Sequence, residues 1–347
     1  MSRMDTDDQW GATARRYVAS LSAGEGAVIV LTLVVLAIAA IRQPGLFVSQ
    51  AVGGLVYGMI LVMASLGLSL ILGLMGIVNF AHGALFMLGA YFAYTVVKLL
   101  GLPFWVALVV APIAVGVVGV LMELIVIRRL YSEEPIIGLL ATFGLTLMLE
   151  ESVRAVWGAA PKSFDVPAVL RTSTDLGITQ VGTSRLFAVA VATVAVIAVY
   201  LLITGTDFGL TIRAGVQDQE MTGFLGVNLP VRFTAMFAIG AAIAGLGGVL
   251  QAAEFGMGPG MGQTFVILAF VVVVVGGVGS LFGSVISGLL IGEATFLTGV
   301  VLTSLAGVTG IEAIAVPGIR GLVPYLVMIA VLLWRPRGLF GEEGFLE

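Results

Sequence analysis

The chain has 347 residues, 59% of them hydrophobic and 10% charged, with a mean hydropathy of +1.14 and a formal net charge of -4. Soluble domains carry roughly 25% charged residues, so a soluble globular protein is excluded and a polytopic helical membrane protein is predicted. The absence of cysteine removes disulfides and thiolate chemistry, a single histidine rules out a multi-histidine metal site within the chain, and nothing points to nucleic acid.

A polar opening, residues 1–25, holds Arg3, Asp5, Asp7, Asp8, Arg15 and Arg16 and precedes a first apolar run at 26–41. Ala37-Ile38-Ala39 fits a small-residue cleavage pattern, but the leading segment is long and acidic for a signal peptide, so a retained first transmembrane helix is expected. Further apolar runs lie at 51–74, 83–100, 104–127, 136–157, 186–204, 233–253, 265–278, 281–301 and 322–334. Judged against the roughly 20 residues needed to cross a bilayer, they predict an all-α bundle of about ten helices. This single transmembrane domain fills 26–341, ahead of a short tail at 342–347. Phe255 to Gly262, Gly276 to Gly279 and Pro317-Gly318 are expected to break or kink it.

Between the second and third runs the sequence Gly-Leu-Met-Gly-Ile-Val-Asn-Phe-Ala-His-Gly, residues 73–83, places Asn79 and His82 between apolar stretches. Polar groups at membrane depth are costly and usually functional, and glycine-rich irregular backbone is tolerated there only beside protein or a watery cavity. A broken helix at 76–83 lining a translocation path is therefore expected. Asn79 and His82 offer donors and acceptors to a substrate's carboxylate or ammonium, or else satisfy the interrupted backbone themselves.

Small residues recur every four positions at Ser280, Ser284, Gly288 and Gly292, at Gly240, Ala244 and Gly248, and at Gly54 and Gly58. That spacing gives one helix face and close backbone approach, within the chain or at a subunit interface or passage. Glu293 lies inside an apolar run beside Gly292, which suits an interhelical bond or an inward-facing path position. Interfacial or snorkelling positions are expected for Glu123, Glu150 and Glu151. Were these to carry protons, the chain would be a secondary transporter.

The loop at 205–231 is polar through Asp207, Arg213, Gln217, Asp218, Gln219, Glu220, Thr222 and Asn228, and apolar through Met221, Phe224, Leu225 and Val227. A short amphipathic helix results, lying on a headgroup surface or docking into a partner's groove. Arg128, Arg129, Arg213, Arg232, Arg335 and Arg337 fall on the same side as this loop, with Arg3, Arg15 and Arg16, and mark it as cytoplasmic, along with both termini. Arg42, Lys98, Arg154, Lys162, Arg171, Arg185 and Arg320 lie on or near the other side, where 158–185 makes the longest loop. Neither Lys98 nor Lys162 sits in a phosphate-binding loop, and no metalloprotease or nucleophile-elbow motif occurs, so no catalytic residue is assigned.

The run 67–91, with Gly-Ile-Val-Asn-Phe-Ala-His-Gly at its centre, resembles the signature of branched-chain amino-acid ABC transporter permeases and is nearer the LivH-type than the LivM-type subunit. Ala141-Thr142-Phe143-Gly144-Leu145, the segment from Arg213-Ala214 to Leu225-Gly226-Val227-Asn228, residues 272–283 and the ending 334–341 follow in family order. The resemblance implies an importer in the cell's inner membrane, with a LivM-type permease beside this chain and a solute-binding protein delivering cargo. Two ATPase subunits of LivG/LivF type would hold ATP and magnesium, with membrane lipid around the permeases. Permeases of this kind often carry Glu-Ala-Ala and then Gly six residues after the Glu; here Glu220-Met221-Thr222 and Gly226 keep only that frame. The coupling role falls on Asp218, Glu220, Met221, Gly223, Phe224, Leu225 and Gly226, with Met221, Phe224 and Leu225 entering the ATPase groove. Leucine, isoleucine and valine are the implied cargo. Urea, short amides and aromatic acids are handled by similar permeases, and an ion-coupled carrier or channel acting alone is the other class the residues leave open.

Overall fold

The computed structural model describes residues 23–75, 78–130, 133–175, 177–316 and 318–341. Expectations placed on Arg3, Arg15, Arg16, Gly76, Pro317 and the tail 342–347 fall outside them. The described chain is a helical bundle: α1 (Ala23–Arg42), α2 (Pro44–Met75), α3 (His82–Tyr94), α4 (Phe104–Ile125), α5 (Pro135–Trp157), α6 (Thr183–Gly205), α7 (Asp207–Gln217), α8 (Gln219–Phe224), α9 (Leu229–Phe255), α10 (Met261–Gly276), α11 (Leu281–Thr309) and α12 (Val323–Trp334). One antiparallel hairpin, β1 (Ser173–Asp175) and β2 (Gln180–Gly182), joins α5 to α6.

Among the described residues six helices, α2, α4, α5, α6, α9 and α11, are long and apolar enough to cross a membrane. A seventh span results if the 90° bent pair ending in α12 counts as one. The multi-pass, all-α membrane architecture follows. The other expected runs form shorter helices: α3 has 13 residues and continues into a π-helical turn, Thr95–Leu99, and α10 has 16. At ~1.5 Å per residue neither spans a hydrocarbon core of about 30 Å alone.

Burial sorts the long helices. The most apolar stretch of α2 is 89% buried, whereas those of α5 and α6 are 28% and 22% buried. Helices apolar all round fill a core or turn their surface outward, and here α2 does the first while α5 and α6 leave most of their apolar surface uncovered by the described chain. Glycines let other helices close on α2. A Cβ on Gly292 would lie 2.5 Å from the Gly54 carbonyl oxygen, one on Gly288 2.6 Å from Val62, and one on Gly67 2.5 Å from the Gly240 carbonyl oxygen. On α9, Gly248 meets the Phe86 carbonyl of α3 in the same way. The glycine spacing thus serves packing inside the chain.

The bundle has two ends with different construction. At one, α4 and α9 are tied by Arg128, and the segment α7–α8 links α6 to α9. The α10–α11 break also lies there, with Gly279 against Gly73 at the end of α2. In that break Gly277 (φ +100°) and Gly279 (φ +82°) take left-handed backbone. The chain's last described residues cap α10: Leu339 N–H donates to Val275 O (2.8 Å) and Phe340 N–H to Gly276 O (3.0 Å). These carbonyls would otherwise be orphans of the helix terminus. At the other end Arg42 reaches the Gly307 carbonyl, and the hairpin loop is pinned by Lys98–Asp165 (2.8 Å). A backbone bridge between Lys162 and Met257 ties that loop to the glycine-rich α9–α10 break.

Candidate functional site

The expected break between the second and third runs is present: α2 stops at Met75 and α3 starts at His82. Asn79 is fully buried, and its Oδ1 accepts from Ala81 N–H at 3.0 Å while its carbonyl accepts from His82 N–H at 3.3 Å. Asn79 therefore folds its own turn, as asparagine does in Asx turns. Thr142 of α5 extends the support, its hydroxyl accepting from Phe80 N–H at 3.2 Å and standing 3.3 Å from Val78 O. Phe80 stacks on Phe270 of α10 with ring centroids 5.9 Å apart.

His82 points away from any open space. Its Nε2 lies 3.0 Å from the Ala64 carbonyl of α2, and since a carbonyl only accepts, Nε2 carries the hydrogen. The ring occupies room that Gly67 leaves: a Cβ there would come 2.6 Å from His82 Cε1. Asn79 Nδ2 and His82 Nδ1 remain buried without partners. The break is thus anchored on the chain's own backbone, with two polar atoms in reserve.

Glu293 is placed differently. It lies on α11 where Gly54 of α2 opens a gap, and a Cβ on Gly54 would be 2.8 Å from Glu293 Oε2. That oxygen is buried with no hydrogen-bond partner, and Glu293 makes no ion pair among the described residues. Next to it Tyr57, Phe255 and Phe296 form a triangle of rings with centroids 5.6 to 6.2 Å apart.

Two other acids depart from the interfacial positions expected of them. Glu123 is fully buried, holding Arg128 through two bonds of 3.1 Å, and Thr234 of α9 donates to it at 2.9 Å. Five residues separate Glu123 from Arg128, so the pair closes only because α4 ends between them and a 3-10 turn, Ile127–Leu130, swings the arginine back. Glu150 is also buried, its Oε1 accepting from Gln263 N–H (3.2 Å) in the first turn of α10, where a helix presents unsatisfied donors and favours negative charge. Only Glu151 is exposed, paired with Arg154 one turn on. Among the described residues no group of three His, Cys, Asp or Glu side chains is placed to hold a metal ion.

The 205–231 loop folds into two short helices. Thr206 caps α7, Asp218 caps α8 by accepting from Met221 N–H at 2.8 Å, and Asn228 caps α9 at Val231 N–H. Gly226 at φ +83° turns the chain after α8. Thr222 is buried on the bundle side, while Met221, Phe224 and Leu225 are 56%, 78% and 78% exposed. Glu220 and Gly223 are exposed with them. Many other exposed apolar side chains sit on the long apolar helices, and Leu100, Val169, Ile178 and Ile311 sit in loops at the opposite end; these three stand among Asp218, Gln219 and Glu220 at a polar end of the bundle. Such a cluster marks an interaction surface.

Residues 50–332 match the family model described as branched-chain amino acid transport system, permease component. The chain is 28% identical over 310 residues to the high-affinity branched-chain amino acid transport permease BraD of Pseudomonas aeruginosa, covering 85% of this chain and 96% of that protein. It is 27% identical over 309 residues to the LivH permease of Escherichia coli K12, with the same coverage. It is also 27% identical over 303 residues to a probable LivH of Methanocaldococcus jannaschii, covering 84% of this chain and 91% of that protein. No solved structure matches significantly.

Proposed function

This chain belongs to the family of branched-chain amino acid transport permeases, and from that membership we propose that it is one of two permease subunits of an ATP-driven importer for branched-chain amino acids. A LivM-type permease completes the path, a solute-binding protein delivers the amino acid, and two LivG/LivF-type ATPases bind ATP and magnesium. The chain itself is a transport component and not an enzyme. It resides in the cell's inner membrane with the α7–α8 end and both termini in the cytoplasm. In this reading the ten helices are the six long ones, α1, α12 and the shorter broken segments α3 and α10.

The observation that carries the proposal is the outward face of α8. Met221, Phe224 and Leu225 are exposed on a short helix whose start is fixed by Asp218 and whose exit is turned by Gly226. Covering them in a groove of an ATPase would contribute roughly 1.5–3 kcal/mol per fully buried side chain. Because α8 runs into α9 through the short turn at Gly226 and the Asn228 cap, movement of the groove would be transmitted to α9. Asn79 and His82 hold the broken helix beside the path, and Glu293 faces it.

Reconstitution tests this. Purified permeases, ATPases and leucine-loaded binding protein in proteoliposomes should accumulate leucine only with ATP. Leucine transport by this chain without any ATPase would instead identify a carrier acting alone.

A further inference from the structure

Arg320, just before α12 at the hairpin end, makes no ion pair among the described residues. Its Nη2 donates to Gln50 Oε1 (2.8 Å) and to the Phe296 carbonyl (3.4 Å), and the guanidinium lies 4.5 Å from the centre of the Phe296 ring. Those contacts fix the side chain in place, yet the N–H groups on Nε and Nη1 have no acceptor among the described residues. A positioned cation with spare donors is left.

Arg320 is exposed and lines a cleft of about 280 Å³ between α11 and the turn that leads into α12. Leu302, Ala315, Val316 and Ile319 make most of the remaining wall apolar, and no acid lines it. Thr303, also in the lining, spends its hydroxyl hydrogen on the Gly299 carbonyl (2.9 Å) of its own helix, so Arg320 is the one charged donor of the cleft. Gly299 faces open space, where a Cβ would meet nothing within 4 Å. Two residues after Arg320 an apolar face begins: Leu322, Leu326, Ile329 and Leu333 recur at spacings of four and three on one side of α12 and are 52% to 82% exposed. That face runs for roughly 16 Å.

A guanidinium with spare fork donors suits phosphate oxygens, and basic pockets between transmembrane helices hold anionic headgroups. A soluble anion would answer the charge but leave the apolar wall bare. An apolar helix laid into the cleft would cover the wall but bury the guanidinium unpaired, which is costly. An anionic amphiphile answers both.

We propose that the cleft binds one anionic phospholipid from the leaflet at the hairpin end, its phosphodiester paired with Arg320 and an acyl chain lying on Ile319 and the exposed face of α12. The lipid braces the 90° bend that leads into α12. This site does not depend on what the permease carries.

The test places the purified permease assembly in nanodiscs of phosphatidylcholine doped with phosphatidylglycerol and counts, by native mass spectrometry, the phosphatidylglycerol retained per copy of this chain. The wild type should keep one. Arg320→Gln should weaken retention about tenfold, the loss expected for one charged hydrogen bond, and Arg320→Lys should fall between it and the wild type. Gly299→Phe fills the cleft from a position with open space and leaves the charge in place; it should displace the lipid as fully. Arg42→Gln removes an exposed cation of the same end that lies outside the cleft, and should change little. Unchanged retention in Arg320→Gln or in Gly299→Phe overturns the proposal. So does an equal loss from Arg42→Gln, which would mark a general attraction of the bilayer to positive charge. A wild type that keeps no phosphatidylglycerol, with the second permease lost from both cleft variants, would overturn it in favour of a subunit contact.

Discussion

The α2–α3 break and the helix α8 are both places where side chains defy their surroundings, in opposite senses. At the break, polar Asn79 and His82 sit in an apolar interior, yet each is bonded to the chain's own backbone. At α8, apolar Met221, Phe224 and Leu225 sit at a polar end, and none of the described residues covers them. A buried polar group is a strong hint of function only when its own fold fails to satisfy it, whereas exposed apolar residues outside the membrane point to a partner directly. By that measure α8 points to a partner, while the break is held by its own backbone yet keeps Asn79 Nδ2 and His82 Nδ1 unpartnered.

The largest effect should come from the tie that holds α8's neighbourhood in place. Arg128→Ala takes the two guanidinium bonds away from buried Glu123, costing on the order of 3 kcal/mol, the low end for a broken buried pair because Arg128 is partly open. Thermal unfolding in detergent should move down clearly and the α4–α9 junction should loosen; an unchanged melting temperature would show that the pair is not needed. Next in size, Phe224→Asp should weaken ATPase association by about 2 kcal/mol, roughly thirtyfold, if this ring is a central anchor. Co-purification of ATPase should fall while the permease's own stability stays as it was. Equal losses in both would make α8 a structural element like the break.

His82→Leu probes the other side of the contrast. Losing the bond to Ala64 removes about 1 kcal/mol, so less assembled complex is expected, with uptake per assembled complex retained. A drop in uptake at normal assembly would return the break to the substrate path. The smallest effect concerns the hairpin loop. Lys98, hydrogen-bonded to Asp165, holds that carboxyl below its usual range, and Arg171 adds to this. Since the folded state lowers its pKa, the tie is complete above the ordinary carboxylate range and is lost as pH falls through the lowered value. Amide exchange protection around 162–171 should therefore hold at mildly acid pH and drop only in stronger acid; loss already near pH 6 would contradict this.

Much of this was legible in the sequence because the signals are local. Apolar runs marked the helices, the glycine clusters at 255–262 and 276–279 marked real breaks, and the amphipathic mix around Met221, Phe224 and Leu225 marked a short helix with an apolar side. What escaped was long-range. Glu123 reads as an interfacial acid until Arg128 folds back around a helix end and Thr234 arrives from α9. Glu150 likewise reads as an interfacial or snorkelling acid until α10 begins beside it. Likewise the family-like segments at 272–283 and 334–341 appear as separate motifs, and only the fold shows the second capping the first through Leu339 and Phe340.

The absence of cysteine in the native chain allows the most direct test of the contrast. A single Phe224→Cys replacement, labelled with a membrane-impermeant maleimide in the permease alone and in the assembled complex, reads the cover on α8. The account predicts rapid labelling in the free permease and strong protection once the ATPases are bound. Equal labelling in both states would contradict it.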